Sequence, residues 1–154
     1  MRDRGLRNSL FEKPWLDRFC ALLPPLSSVL DIGCGSAEPI ARYFIEHQYE
    51  FVGVDSSSTL IDVCKARFPG QEWVVEDMRN LSINRQFNGI LAWDSFFYLA
   101  PEAQRSMFPI FRTHAASRAA LMFTSGPAYG EAVGTYDTAG EFSSGGLGHQ
   151  RAEL

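Results

Sequence analysis

One segment constrains this chain more than any other: Val29-Leu30-Asp31-Ile32-Gly33-Cys34-Gly35-Ser36-Ala37. An apolar run that holds an acid and ends in two closely spaced glycines reads as a buried parallel strand followed by a turn whose backbone lets a ligand come close. The amphipathic stretch from about Glu38 reads as a helix with its amide end aimed at that ligand. A second apolar run, Phe51-Val52-Gly53-Val54, ends at Asp55, 22 residues after Gly33. Adjacent parallel strands end on the same side of a sheet, so Asp55 is placed to accept hydrogen bonds from ribose hydroxyls. The spacing points to a nucleotide-cofactor site.

The rest of the chain repeats the alternation. Strand-like runs at 28–32, 50–55, 72–76, 87–93 and 118–124 are separated by helical stretches near 38–48, 57–67 and 101–115, the pattern of an α/β, doubly wound, mainly parallel sheet. Ser57 and Ser58 supply caps for the second helix, and Pro69-Gly70 turns the chain after it. Pro109 predicts a kink or an early end in the third. Ahead of the first strand, Leu10, Phe11, Trp15, Leu16, Phe19 and Leu23 recur at helical spacing until Pro24-Pro25 stops them, and Trp15 reads as a core residue of that stripe.

Length and composition bound the possibilities. The chain has 154 residues, 45% of them hydrophobic, which is enough for one substantial core and one domain. A formal charge of −4 offers no basic surface for nucleic acid, and the apolar runs are too short to span a membrane. Arg2, Arg4 and Arg7 form the densest basic cluster and read as a solvated terminus. Cys20, Cys34 and Cys64 lie far apart without Cys-x-x-Cys spacing, so neither a disulfide framework nor a metal site is indicated and a cytoplasmic location fits. His47, His114 and His149 read as surface residues.

Which cofactor the turn serves depends on position 38. The dinucleotide fingerprint needs a third glycine there, but this chain has Glu38, whose carboxylate would repel a pyrophosphate and tolerate a sulfonium cation. Asp31-Ile32-Gly33-Cys34-Gly35 resembles the first motif of the class I S-adenosylmethionine (SAM)-dependent methyltransferases. Three more stretches are similar to that family in the same order: Asp55 ending the second strand, Glu72–Glu76 leading into Asp77-Met78, and Phe87–Asp94 running into Ser95–Leu99. The resemblance covers about 11–134. It implies that SAM is the cofactor, that Gly33, Cys34 and Gly35 approach its methionine part with Asp31 near the amino group, and that Asp55 takes the ribose with Ser56 beside it. It further implies that Asp77 and the Met78 amide meet the adenine edge, that Trp93 and Asp94 bind the cofactor, and that Ser95–Leu99 form the cofactor and substrate wall. No catalytic base is assigned: Asp94 and Tyr98 are the polar groups nearest the expected reaction centre, and methyl transfer needs alignment before it needs a base.

The carboxyl-terminal part fits the family least. Seven of the 13 glycines lie at or beyond Gly126, and 140–148 is poor material for a strand or helix. The family's sheet has seven strands, the last two forming a hairpin beside the fifth, and here those two are expected to be missing. The organisation expected is therefore an N-terminal helical segment at 1–27, a SAM-binding core at 28–127 and a Gly-rich, poorly ordered tail at 128–154. A bare fifth strand would invite pairing with a second copy, giving a possible homodimer. The reading that follows is a methyltransferase acting on a small-molecule acceptor. Its rivals are a truncated, non-catalytic or partner-dependent SAM-binding chain and, behind it, an NAD-dependent oxidoreductase.

Overall fold

Five parallel strands carry the architecture, in an order that follows from their connections. The computed structural model describes residues 13–93, 99–124, 131–136 and 142–144. Helix α1 (Lys13–Ala21) precedes β1 (Ser28–Ile32), and α2 (Ile40–Glu46) links β1 to β2 (Glu50–Asp55). Helix α3 (Ser58–Arg67) leads to β3 (Glu72–Val75), then a 3-10 turn over Met78–Asn80 to β4 (Phe87–Ala92), and α4 (Pro101–Thr113) to β5 (Ala115–Thr124). Strands β6 (Glu131–Tyr136) and β7 (Phe142–Ser144) follow. The sheet order is β3-β2-β1-β4-β5-β6-β7, parallel through β5.

The order reverses at β1. Successive units step outward to β2 and β3, then the chain returns to lay β4 on the other side of β1, which opens a crevice at the carboxyl ends of these strands. Every residue of β1 is buried, as a central parallel strand covered on both faces requires. One face packs Leu16 and Phe19 of α1, Ile40 and Phe44 of α2 and Ile61 and Cys64 of α3 against Val29, Phe51 and Leu91. The opposite face packs Met107 and Phe111 of α4 against Leu30, Val52, Ile90 and Leu121. Phe19 lies over Gly89, where a Cβ would come within 2.7 Å of its ring, so the absence of a side chain on β4 is what lets α1 seat. Trp15, half-buried, packs at the margin of the same cluster.

Several expectations need correction. The sheet does not stop at five strands: β6 pairs antiparallel with β5 from Ala120 to Thr124, and β7 pairs antiparallel with β6. Residues 119–124 of β5 are all buried, and an edge that long and apolar needs a partner whose backbone completes its ladder. With β6 in place, the reason to expect self-association through β5 lapses. Helix α4 does not end at Pro109 but continues to Thr113, whose hydroxyl donates to the Pro109 carbonyl at 2.9 Å. His114 is not a surface residue. It is fully buried behind α4, with Nδ1 2.8 Å from the Ile110 carbonyl and Nε2 accepting from the Ile83 amide at 2.9 Å. Leu10, Phe11, Arg2, Arg4, Arg7, Asp94, Tyr98 and His149 lie outside the described residues.

Candidate cofactor site

The glycine turn hangs from the end of β2. Gly33 and Cys34 both donate their amides to the Val54 carbonyl, at 2.7 and 2.9 Å. Gly33 has φ 82° and Gly35 φ 61°, left-handed conformations that glycine adopts without penalty. Asp55 closes the arrangement: one carboxylate oxygen accepts from Gly35 N at 3.0 Å and the other from Ser57 N at 2.9 Å. A carboxylate has roughly four lone-pair sites, so two amide bonds orient Asp55 and leave capacity for hydroxyl donors. Ser56 is exposed beside it. Ser57 caps α3 by accepting from Leu60 N at 3.2 Å, which fixes the step from strand to helix.

Helix α3 holds the turn from beneath. The Cys64 thiol donates to the Gly35 carbonyl at 3.1 Å, and the Arg67 guanidinium donates to the next carbonyl, Ser36 O, at 3.1 Å. Cys34 is fully buried with its sulfur also toward Gly35 O, at 3.7 Å. Its side chain therefore packs into the core between Gly53 and the turn, and only its backbone can serve a ligand. Ser36 is buried, and its hydroxyl oxygen has no hydrogen-bond partner among the described residues.

Helix α2 begins at Ile40 rather than at Glu38. Glu38 is buried and forms an ion pair with Arg42, which also reaches Glu46 at 3.5 Å and covers the Phe68 ring. That pairing cancels the charge expected to repel a pyrophosphate, so Glu38 does not discriminate between cofactors. Three further carboxylates stand at the strand ends. Asp31 is fully buried in β1, Asp55 ends β2 and Asp77 follows β3.

Asp77 caps the 3-10 turn by accepting from Arg79 N at 2.9 Å and pairs with the Arg79 side chain at 2.5 Å. This neighbour holds its carboxyl well below the usual range, at about 2. Met78 is half-buried against the α4 face of the core. Trp93, immediately beyond β4, is 4% exposed and packs on Trp15 with ring centroids 6.1 Å apart, so the described geometry makes it a wall between α1 and the strand ends. The structure thus brings Asp31, Gly33, Cys34, Gly35, Asp55, Ser56, Asp77, Met78 and Trp93 to one edge of the sheet; Asp94 lies outside the described residues. Cys64 and Arg67 escaped the sequence reading. Their spacing of three on α3, one helical face toward the turn, is the signal that could have found them.

The donor set suits one kind of ligand. An edge lined by three carboxylates offers hydrogen-bond acceptors, which fits hydroxyls and amines, while Arg79 offsets the charge of Asp77 as Arg42 offsets that of Glu38. The left-handed glycines and the buried Ser36 hydroxyl add close backbone approach and an uncommitted polar atom.

Comparison with known proteins agrees with this geometry. The family model described as a methyltransferase domain matches residues 29–116. No curated protein matches the chain. Among solved structures, the SAM-bound amino pentose methyltransferase CalS10 from Micromonospora echinaspora is 17% identical, with TM-score 0.68 over 87% of this chain and 66% of its own. The sugar N-methyltransferase KedS8 from Streptoalloteichus is 22% identical, with TM-score 0.69 over 79% and 50%. A TehB-like SAM-dependent methyltransferase from Corynebacterium glutamicum is 23% identical, with TM-score 0.66 over 77% and 64%. The chain spans about half to two thirds of the length of these proteins, and the likeness is one of fold. With more than half of its residues matched by the family model, the chain belongs to the methyltransferase domain family.

Proposed function

We propose that this chain binds SAM at the β1–β2 turn and transfers its methyl group to a small-molecule acceptor. The observation that carries the reading is Asp55, fixed by the amides of Gly35 and Ser57 at the strand-end crevice with acceptor capacity to spare. In this reading Asp55 takes the ribose hydroxyls, the Gly33–Ala37 turn and Asp31 hold the methionine end, and Asp77 with the Met78 amide meets the adenine. Trp93 and Trp15 exclude water from one side.

When bound, SAM supplies a methyl group already activated by its sulfonium. The protein's task is then alignment of an acceptor with that carbon, and orientation accounts for most of the gain available to it. A neutral amine acceptor attacks through its lone pair and loses a proton afterwards, so no base is required of the chain at the bond-forming step. The small-molecule class is supported by the acidic balance of the chain and by its structural neighbours, two of which are named for sugar acceptors. None of the three cysteines is in a disulfide, as suits a reducing cytoplasm.

Calorimetric titration with SAM and with its demethylated product, S-adenosylhomocysteine (SAH), followed by a methyl-acceptor screen, tests the proposal. Saturable binding of both and transfer to a small amine or hydroxyl are the expected results. Binding without transfer to any acceptor identifies a SAM-binding module instead, and preference for NAD overturns the cofactor assignment.

A further inference from the structure

Two donors on one face of α3 grip two successive carbonyls of the cofactor turn. Cys64 Sγ donates to Gly35 O and Arg67 donates to Ser36 O, each at 3.1 Å. Across a trans peptide the N–H points opposite to the C=O. Drawing Gly35 O down toward α3 therefore turns the Ser36 amide upward, away from the helix and toward the strand-end crevice. The Ala37 amide, on the next peptide, is taken by Cys34 O at 3.3 Å, while Gly35 N is taken by Asp55. Ser36 N is thus the donor that this arrangement presents.

We infer that Cys64 and Arg67 are positioning residues that set the orientation of the Ser36 peptide for the methionine end of the cofactor. The inference rests on the SAM-binding reading above. The two side chains divide the work by environment. Cys64 is fully buried and acts as a fixed post under the turn, with α3 held in register by the Ser57 cap. Arg67 reaches in from the exposed side of α3, so its charged donor competes with water for the carbonyl.

The test compares C64A, C64S, R67A, R67K and the C64A/R67A double variant with K65A, an exposed lysine on the same helix. The first readout needs no cofactor: amide exchange at Ser36 and Ala37, followed by nuclear magnetic resonance in the ligand-free protein. The double variant should speed exchange at these two amides while the β2 amides stay as protected as in K65A. The second readout is SAH affinity by calorimetry. Each of C64A and R67A should weaken it about threefold to tenfold, the yield of one modest hydrogen bond, with C64S and R67K recovering part of the loss.

Unchanged turn exchange together with SAH affinity within about twofold of K65A would overturn the inference. So would weakening that C64S and R67K fail to relieve, because that pattern marks lost packing rather than a lost donor. If the wild-type chain bound no SAH, the cofactor reading would fail on its own. The exchange measurement would then still decide whether α3 sets the turn.

Discussion

Gly53 sits in the middle of β2, and adding one methyl group there tests how tightly the site is coupled to the core. A Cβ at this position would lie 2.5 and 2.6 Å from two carbons of the Trp73 six-membered ring and 3.0 Å from Cys34 Sγ. Carbon atoms in favourable contact are about 3.5–4.0 Å apart, so the indole would have to retreat by about 1 Å. It has little freedom to do so. Trp73 is buried, packs on Phe51 with centroids 5.8 Å apart, and donates its indole N–H to the Phe68 carbonyl at 2.9 Å. Overpacking of this kind costs ~1–3 kcal/mol, and weakening the indole bond adds ~0.5–1.5 kcal/mol. Reduced freedom of the unfolded chain offsets ~0.4–1 kcal/mol. Gly53→Ala should therefore destabilise by about 2 kcal/mol, a fall of about 4 to 8 °C in Tm. Trp73→Phe removes the two obstructing carbons, so the double variant should recover much of the loss, with a coupling energy of at least about 1 kcal/mol in urea unfolding. Stability of Gly53→Ala within about 0.5 kcal/mol of the parent, or strict additivity in the cycle, would refute the steric argument.

Other outcomes follow from the site and the core. Asp55→Ala should weaken SAH binding by roughly 1.5–3 kcal/mol, read by calorimetry; equal affinity removes Asp55 from the ribose role. Asp77 has its folded value lowered to about 2 by Arg79, so what this exposed pair contributes is present above the ordinary 3.8 and is lost as pH falls through about 2. Arg79→Ala should return the Asp77 carboxyl midpoint toward 3.8 in a resonance titration, and an unmoved midpoint would show that Arg79 is not the cause. His114→Ala removes a buried ring and strands the Ile83 amide, a loss of about 2–4 kcal/mol in denaturant unfolding. A change below about 1 kcal/mol would mean that water replaces the imidazole without cost.

The parallel core was legible because its signals are local. Apolar runs of strand length, the Ser57 cap and the acids at the strand ends each declare themselves within a few residues. The hairpin beyond β5 was not legible. Gly134 breaks the apolar alternation of Glu131–Tyr136, and what makes this segment a strand is the open edge of β5, a demand set by distant residues. His114 was misplaced for a similar reason, since its partners Ile83 and Ile110 come together only once α4 lies against the sheet. In the site, Asp55 and the two glycines were readable from spacing. The neutralisation of Glu38 by Arg42 and the hold of α3 on the turn depend on where helix faces point, which a linear motif does not state.

The central place of β1 also decides when the protein can become whole. Its pairing with β4 is pinned by Ser28 and Asn88, 60 residues apart, through bonds in both directions. Helix α1 seats its Phe19 on Gly89 of that same late strand. A nascent chain that has emerged only as far as β3 therefore has a middle strand open along one side and lacks the strand on which Phe19 seats. Closing such distant pairs makes for slow folding, and translation reaches the Gly89 seat of Phe19 only after the glycine turn and Asp55 have been made.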